Sequence, residues 1–128
     1  MMVAGIGCRK GTPAVDIEAA IVAACARAGV ATSDLQLIAT SAAKGGEPGI
    51  AQAASAIGVP LVLIPQGDLA AAGGRTVTRS ARVVALAGVP SVAEAAALAA
   101  GGPAARLVLS RMVVGPATCA LAETEEPP

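Results

Sequence analysis

The sequence predicts an α/β fold: a single three-layer domain with a mostly parallel sheet and an antiparallel C-terminal strand. Three observations carry that expectation. Short apolar runs alternate with helical patterns along the chain, the order that yields strands joined by crossover helices. The run from Leu61 to Ile64 is apolar at every position, which suits a strand covered on both faces. Near the end, two extended runs are joined through Gly115-Pro116. That link is too short for a crossover and right for a hairpin.

The elements follow in order. A first strand covers about Val3 to Ile6, and a glycine loop from Gly7 leads into a helix from about Pro13 to Ala28. Thr12 suits the N-cap and Pro13 the first helical position. Asp16 and Glu18 sit where the helix dipole favours acids. Ile17, Ile21, Ala24 and Ala28 share one face, and Gly29 suits the residue just past the end. Ser33-Asp34-Leu35-Gln36 reads as a short capped turn before a strand from Leu35 to Thr40. The loop Ser41 to Glu47 follows, then a helix opened by Pro48 and ended by Gly58, then the Leu61–Ile64 strand. Gly67 to Ser80, with Gly73-Gly74, Arg75 and Arg79, reads as a loop, and Ala81 to Ala87 as a short helix. Ser91-Val92-Ala93-Glu94 has the form of a capping box and opens a helix to about Ala100, which Gly101-Gly102-Pro103 stops. The final hairpin pairs Leu107–Arg111 with Ala117–Ala122. Residues 1–122 are thus expected to form the domain, and 123–128, ETEEPP, a disordered, acidic, Pro-ended tail.

Composition narrows the function classes. A chain of 128 residues is long enough for one buried core. Mean hydropathy is +0.70, but alanine supplies much of it. Gly, Pro or a charge interrupts every run well before the roughly 18 apolar residues of a membrane span. The chain has no His, Phe, Tyr or Trp. That excludes a His general base, a Ser-His-Asp triad and a His-based metal site. It also removes aromatic stacking on bases and argues against single-strand nucleic-acid binding. Cys8, Cys25 and Cys119 are widely spaced and form no CxxC, as expected in a reducing, cytoplasmic setting. Nine bases balance nine acids, but three acids lie in the last six residues. The body therefore has nine bases against six acids, a net of +3. That suits a small anionic ligand and is too weak for DNA. No metal, cofactor or membrane partner is expected.

In a parallel α/β sheet, strand C-terminal ends and helix N-termini share one edge, and ligands bind there. Cys8–Thr12, Ser41–Glu47, Gln66–Asp68, Ser91–Glu94 and Arg111 would meet on it. Gly7, Cys8, Arg9, Lys10, Gly11 and Thr12 form the strongest candidate. The free N–H groups of the following helix face this loop, and two bases add positive charge. The segment is neither a Walker A loop nor a dinucleotide fingerprint, since Lys10 stands where the third glycine belongs. Lys44 and Glu47 flank Gly45-Gly46. They read either as a surface ion pair worth about 0–1 kcal/mol, or as a lysine for an anionic group beside a carboxylate acid/base. Glu94 closes the capping box with Ser91, and Arg111 could snorkel from a strand end. A nucleophilic Cys8 would gain from Arg9, Lys10 and the helix N-terminus, but no base accompanies it.

Four segments, in order, carry a resemblance over about Val3 to Ala122: GIGCRKGT with its helix, TSAAKGGEPGI, GVPSVAEAAALAA and LVLSRMVVGPATCALA. Together they resemble the family of CobE and the C-terminal domain of CbiG, of cobalamin biosynthesis. The family's GxGCR-x-G-T pattern falls on Gly5, Gly7, Cys8, Arg9, Gly11 and Thr12. Its Lys-x-x-Glu loop falls on Lys44 and Glu47, and its VAEAAAL element on Val92 to Leu98. Arg111 stands where the pattern has a lysine, which keeps the charge and makes it a binding residue. The resemblance implies a small α/β domain that binds a carboxylate-rich precorrin or corrinoid intermediate, in a pathway whose other enzymes are its natural neighbours. It also implies an alternative: the CbiG family opens a cobalt-precorrin lactone, so Lys44 and Glu47 could serve a hydrolase on the ring periphery. The oligomeric state is open.

Overall fold

The computed structural model describes residues 1–76 and 91–125. Five strands, β1 (Met2–Cys8), β2 (Leu35–Ser41), β3 (Leu61–Ile64), β4 (Arg106–Val114) and β5 (Ala117–Glu123), form one sheet in the order β3-β2-β1-β5-β4. β1, β2 and β3 run parallel. β5 runs antiparallel to both β1 and β4, so it is the one strand opposed to the other four. It is inserted between β1 and β4, with Gly7 opposite Thr118 and Cys8 opposite Ala117. This is the expected α/β architecture with its C-terminal antiparallel strand.

Four helices complete the three layers among the described residues. α1 (Ala14–Ala28) and α2 (Pro48–Ile57) cover one face; α3 (Gln66–Ala72) and α4 (Val92–Gly101) cover the other. α1 and α2 end in left-handed Gly29 and Gly58, as the sequence suggests. The α1/α2 side packs Ile17, Ile21 and Ile50 on Ile6, Ile38 and Leu121, all essentially buried. The other side packs Leu69 and the alanines of α4 on Val3, Ala39 and Ala122. There the helix comes onto the strand itself. A Cβ on Gly5 of β1 would lie 1.9 Å from the Ala93 carbonyl oxygen and 2.7 Å from the Ala97 nitrogen of α4.

Several boundaries differ from the sequence reading. Of the loop expected from Gly67 to Ser80, residues 77–80 lie outside the described residues, and the rest is not a plain loop: Gln66–Ala72 is helical and Gly73–Arg75 forms a 3₁₀ turn. Buried Leu69 and Ala72, one turn apart, hold α3 to the sheet despite Gly67 and the glycine pair that follows. Thr12 does not cap α1. Pro13 occupies the cap position, and the Thr12 hydroxyl donates instead to the Arg9 carbonyl at 2.6 Å. β4 is longer than expected, with irregular pairing between Leu107 and Met112. Glu123 belongs to β5, and Thr124 N–H donates to the Met1 carbonyl. The helix expected at Ala81–Ala87 and residues 126–128 lie outside the described residues.

Candidate functional site

The C-terminal ends of β1, β2 and β4 enclose a cleft of about 430 Å³ on the α4 side of the sheet. Its walls carry three cations from three segments: Arg9 after β1, Lys44 after β2 and Arg111 from β4. Gly7, Cys8 and Thr118 form its base, and Val92, Val113 and the Gly115-Pro116 turn add an apolar side.

Each cation is set by local structure. Met112 and Val114 pack on the α1/α2 side, so strand alternation turns Arg111 and Val113 to the cleft. Lys44 ends a 3₁₀ turn, Ala42–Lys44, whose start is capped by the Ser41 hydroxyl accepting from Ala43 N–H at 3.2 Å. The loop carrying Arg9 is tied on both sides. Arg9 N–H donates to the Pro116 carbonyl at 3.0 Å, and Gly11 N–H donates to Glu47 Oε2 at 2.9 Å. Gly11 has φ +77°, the left-handed region that favours glycine. Thr12 is buried beneath this loop.

Glu94 is fully buried. The Ser91 hydroxyl caps α4 by accepting from Glu94 N–H at 3.3 Å. The Glu94 carboxylate does more than the capping box required: its Oε2 accepts from the Arg111 backbone N–H at 2.8 Å. A buried carboxylate that accepts a backbone N–H is far better placed than one left without partners. Here it also fixes the strand position from which Arg111 projects.

Burial pushes the Cys8 thiol above the ordinary cysteine range, with the Glu47 charge adding to the shift. Lys44 and a hydrogen bond from Thr12 act the other way without offsetting it. Cys8 is therefore held as a thiol, and its side chain packs against the α1/α2 core, on the face of β1 opposite Gly7. All three cysteines are free.

The structure thus brings Gly7, Cys8, Arg9, Lys44 and Arg111 together on one wall system. Lys10 and Gly11 are exposed on the loop beside it. Ser91 and Glu94 are buried behind the wall and Glu47 stands half-buried beside it; each accepts a backbone N–H. Asp68 is exposed in the first turn of α3. Val92, Val113, Thr118 and the Gly115-Pro116 turn were missed as site residues. The turn itself was legible; that β5 lies beside β1, bringing Thr118 opposite Gly7, was not. Among the described residues no cluster of His, Cys, Asp or Glu could hold a metal ion, and no helix is long and apolar enough to cross a membrane.

Fold and site together define a three-layer α/β domain with a cation-lined cleft at the strand C-terminal edge. The sequence pattern of the family described as Cobalamin synthesis G C-terminus matches residues 2–122. Protein CobE of a Sinorhizobium species is 40% identical over 121 residues, covering 94% of this chain and 79% of CobE. Among solved structures, CobE, a protein from the cobalamin (vitamin B12) biosynthetic pathway, superposes with a TM-score of 0.90 at 32% identity, covering 98% of this chain and 93% of that one. The cobalamin biosynthesis protein chiG of Agrobacterium tumefaciens is 44% identical with a TM-score of 0.79, covering 98% of this chain and 100% of that one. A cobalamin biosynthesis protein G homologue from Sulfolobus solfataricus shares the fold, with a TM-score of 0.72 at 21% identity over 97% of this chain and 37% of its own. The chain belongs to the Cobalamin synthesis G C-terminus family and is a cobalamin-biosynthesis protein of the CobE/CbiG type.

Proposed function

We propose that this chain binds a carboxylate-rich precorrin or corrinoid intermediate at the cleft between β1, β2 and β4. One observation carries the reading: Arg9, Lys44 and Arg111, from three separate segments, line one cleft that also has an apolar side. Corrin precursors present a rim of acetate and propionate carboxylates around an apolar macrocycle. The cations match the rim, and Val92, Val113 and Pro116 match the ring's edge. A charge-assisted hydrogen bond contributes roughly 1.5–3 kcal/mol, so three such contacts go mainly to offset the losses of association, and burial of the ring's apolar edge supplies the net affinity.

Binding is favoured over ring-periphery hydrolysis by the identity of the walls. None of the described residues lining the cleft is a carboxylate, and the Cys8 thiol is held protonated. Glu47, the base a hydrolase would need, does not line the cleft and accepts a hydrogen bond from Gly11 N–H. The test is incubation with a series of precorrin intermediates, following binding by absorbance and products by mass. A spectral shift that saturates at one ligand per chain, with the ligand's mass unchanged, is the expected result. A product of altered mass would replace the binding reading with the hydrolase one, and no interaction with any member of the series would remove both.

A further inference from the structure

Two carboxylates of this chain accept backbone N–H groups from the segments that carry the cleft's cations. Glu94 Oε2 holds the N–H of Arg111 itself at 2.8 Å. Glu47 Oε2 holds Gly11 N–H at 2.9 Å, a contact between the segment after β2, which carries Lys44, and the loop after β1, which carries Arg9. The second contact is the informative one. Glu94 is fully buried, so its loss would leave a partly buried donor unpaired and open a gap under α4. Glu47 is only half-buried, and the hydrogen bond it makes is exposed. Its contact adds little to a core, yet it spans two loops rich in glycine, at Gly11, Gly45 and Gly46. Glycine loops lose the most conformational freedom on ordering, so they hold a shape only when something ties them.

The other ties leave a gap that Glu47 fills. Arg9 N–H is anchored to Pro116 on the hairpin side, and Thr12 bonds back to the Arg9 carbonyl within its own loop. Backbone contact continues at the base of the helices, where a Cβ on Gly49 would lie 2.2 Å from the Thr12 carbonyl oxygen. Between these points, Gly11 N–H to Glu47 Oε2 joins the Lys44 segment to the Arg9 loop.

We infer that Glu47 is a positioning residue: its carboxylate latches the two loops together, so that Arg9 and Lys44 meet one ligand as a fixed pair. The inference rests on the reading of the cleft as a site for carboxylate-rich corrinoids and assigns Glu47 a task other than proton transfer. A fixed pair of cations selects for ligands whose carboxylates are spaced to match and lowers the ordering that binding would otherwise require. Free loops would let each cation act alone, with weaker discrimination.

The test titrates the full chain with cobyrinic acid, a corrinoid whose side arms are free carboxylates, and with an amidated form of the same ring. Glu47→Ala is expected to weaken cobyrinic acid binding about tenfold. Glu47→Gln, whose amide oxygen can still accept from Gly11 N–H, is expected to stay within about threefold of the wild type. The effect of Arg9→Ala should shrink in the Glu47→Ala background, because residues sharing one network are not additive. Amide exchange at Gly11 gives a readout independent of ligand: protection is expected in the wild type and Glu47→Gln, and its loss in Glu47→Ala. Wild-type affinity in Glu47→Ala overturns the proposal, as does equal exchange at Gly11 in all three proteins. Equal losses in Gln and Ala overturn it too, because the charge rather than the latch would then matter. Failure of the wild type to bind cobyrinic acid or any precorrin would instead strike the reading of the cleft itself.

Discussion

On its α1/α2 face the sheet is met by Ile17, Ile21 and Ile50; on its α4 face it is met by Ala93, Ala96 and Ala97, with Gly5 beneath them. The first interface is held apart by branched side chains and buries much apolar area, so it supplies stability. The second brings helix backbone onto strand backbone, and it is the side on which the cleft opens. Close approach lets Glu94, in the first turn of α4, reach the backbone of Arg111 on β4. Val92, one residue into the same helix, forms part of the cleft wall. Bulk builds one face; the absence of bulk sets the geometry of the other.

The largest expected effect breaks the small-residue face. Gly5→Val puts a branched side chain where even a Cβ would sit 1.9 Å from a carbonyl oxygen of α4. Overpacking usually costs about 1–3 kcal/mol, but backbone atoms on both sides cannot move aside as side chains do. Loss of a cooperative urea transition is expected, and a normal transition would mean that α4 stands off β1. Ile21→Ala, midway along α1, is the counterpart on the other face. Removing this buried side chain is expected to lower stability by about 2–5 kcal/mol while leaving corrinoid affinity within about twofold, since distant sites act independently. Denaturant titration and ligand titration of one preparation check both halves. A large loss of affinity would tie the isoleucine face to the site.

A smaller effect sharpens the description of the cleft. Because burial raises the Cys8 pKa, the thiolate is scarcer at neutral pH than for an ordinary cysteine. Alkylation of Cys8 by iodoacetamide should therefore be slower than for free cysteine at pH 7. It should accelerate only as pH rises past the ordinary thiol range. A fast reaction at pH 7 would mean that Lys44 outweighs burial at this thiol.

Much of the fold was legible because its signals are local. Pro48, Gly29, Gly58 and Ser91 mark helix ends by their own backbone preferences, and the Gly115-Pro116 link allowed nothing longer than a hairpin. α3 was missed because its determinants are tertiary. Gly67 and Gly73-Gly74 speak for a loop, and only burial of Leu69 and Ala72 against the sheet outweighs them. The ligand edge followed from topology, which brought Arg9, Lys44 and Arg111 into the candidate set. The duties of the carboxylates did not follow. Glu47 finds its partner 36 residues away, at a backbone N–H, and Glu94 finds one 17 residues away, across from helix to strand. Spacing along the chain says nothing of such contacts. Val113 and Thr118 depended on knowing that β5 lies between β1 and β4.

The central claim is that three cations brought to one edge recognise a carboxylate rim, and its most direct test is a calorimetric titration of cobyrinic acid. Wild type and the Arg9→Ala/Lys44→Ala/Arg111→Ala variant would be compared at low and at physiological salt, with circular dichroism confirming that the variant is folded. The expected result is one-to-one binding to the wild type that weakens as salt screens the charges. The variant, and the amidated ring on the wild type, should each bind at least about a hundredfold more weakly. Equal affinity of wild type and triple variant for cobyrinic acid would contradict the claim.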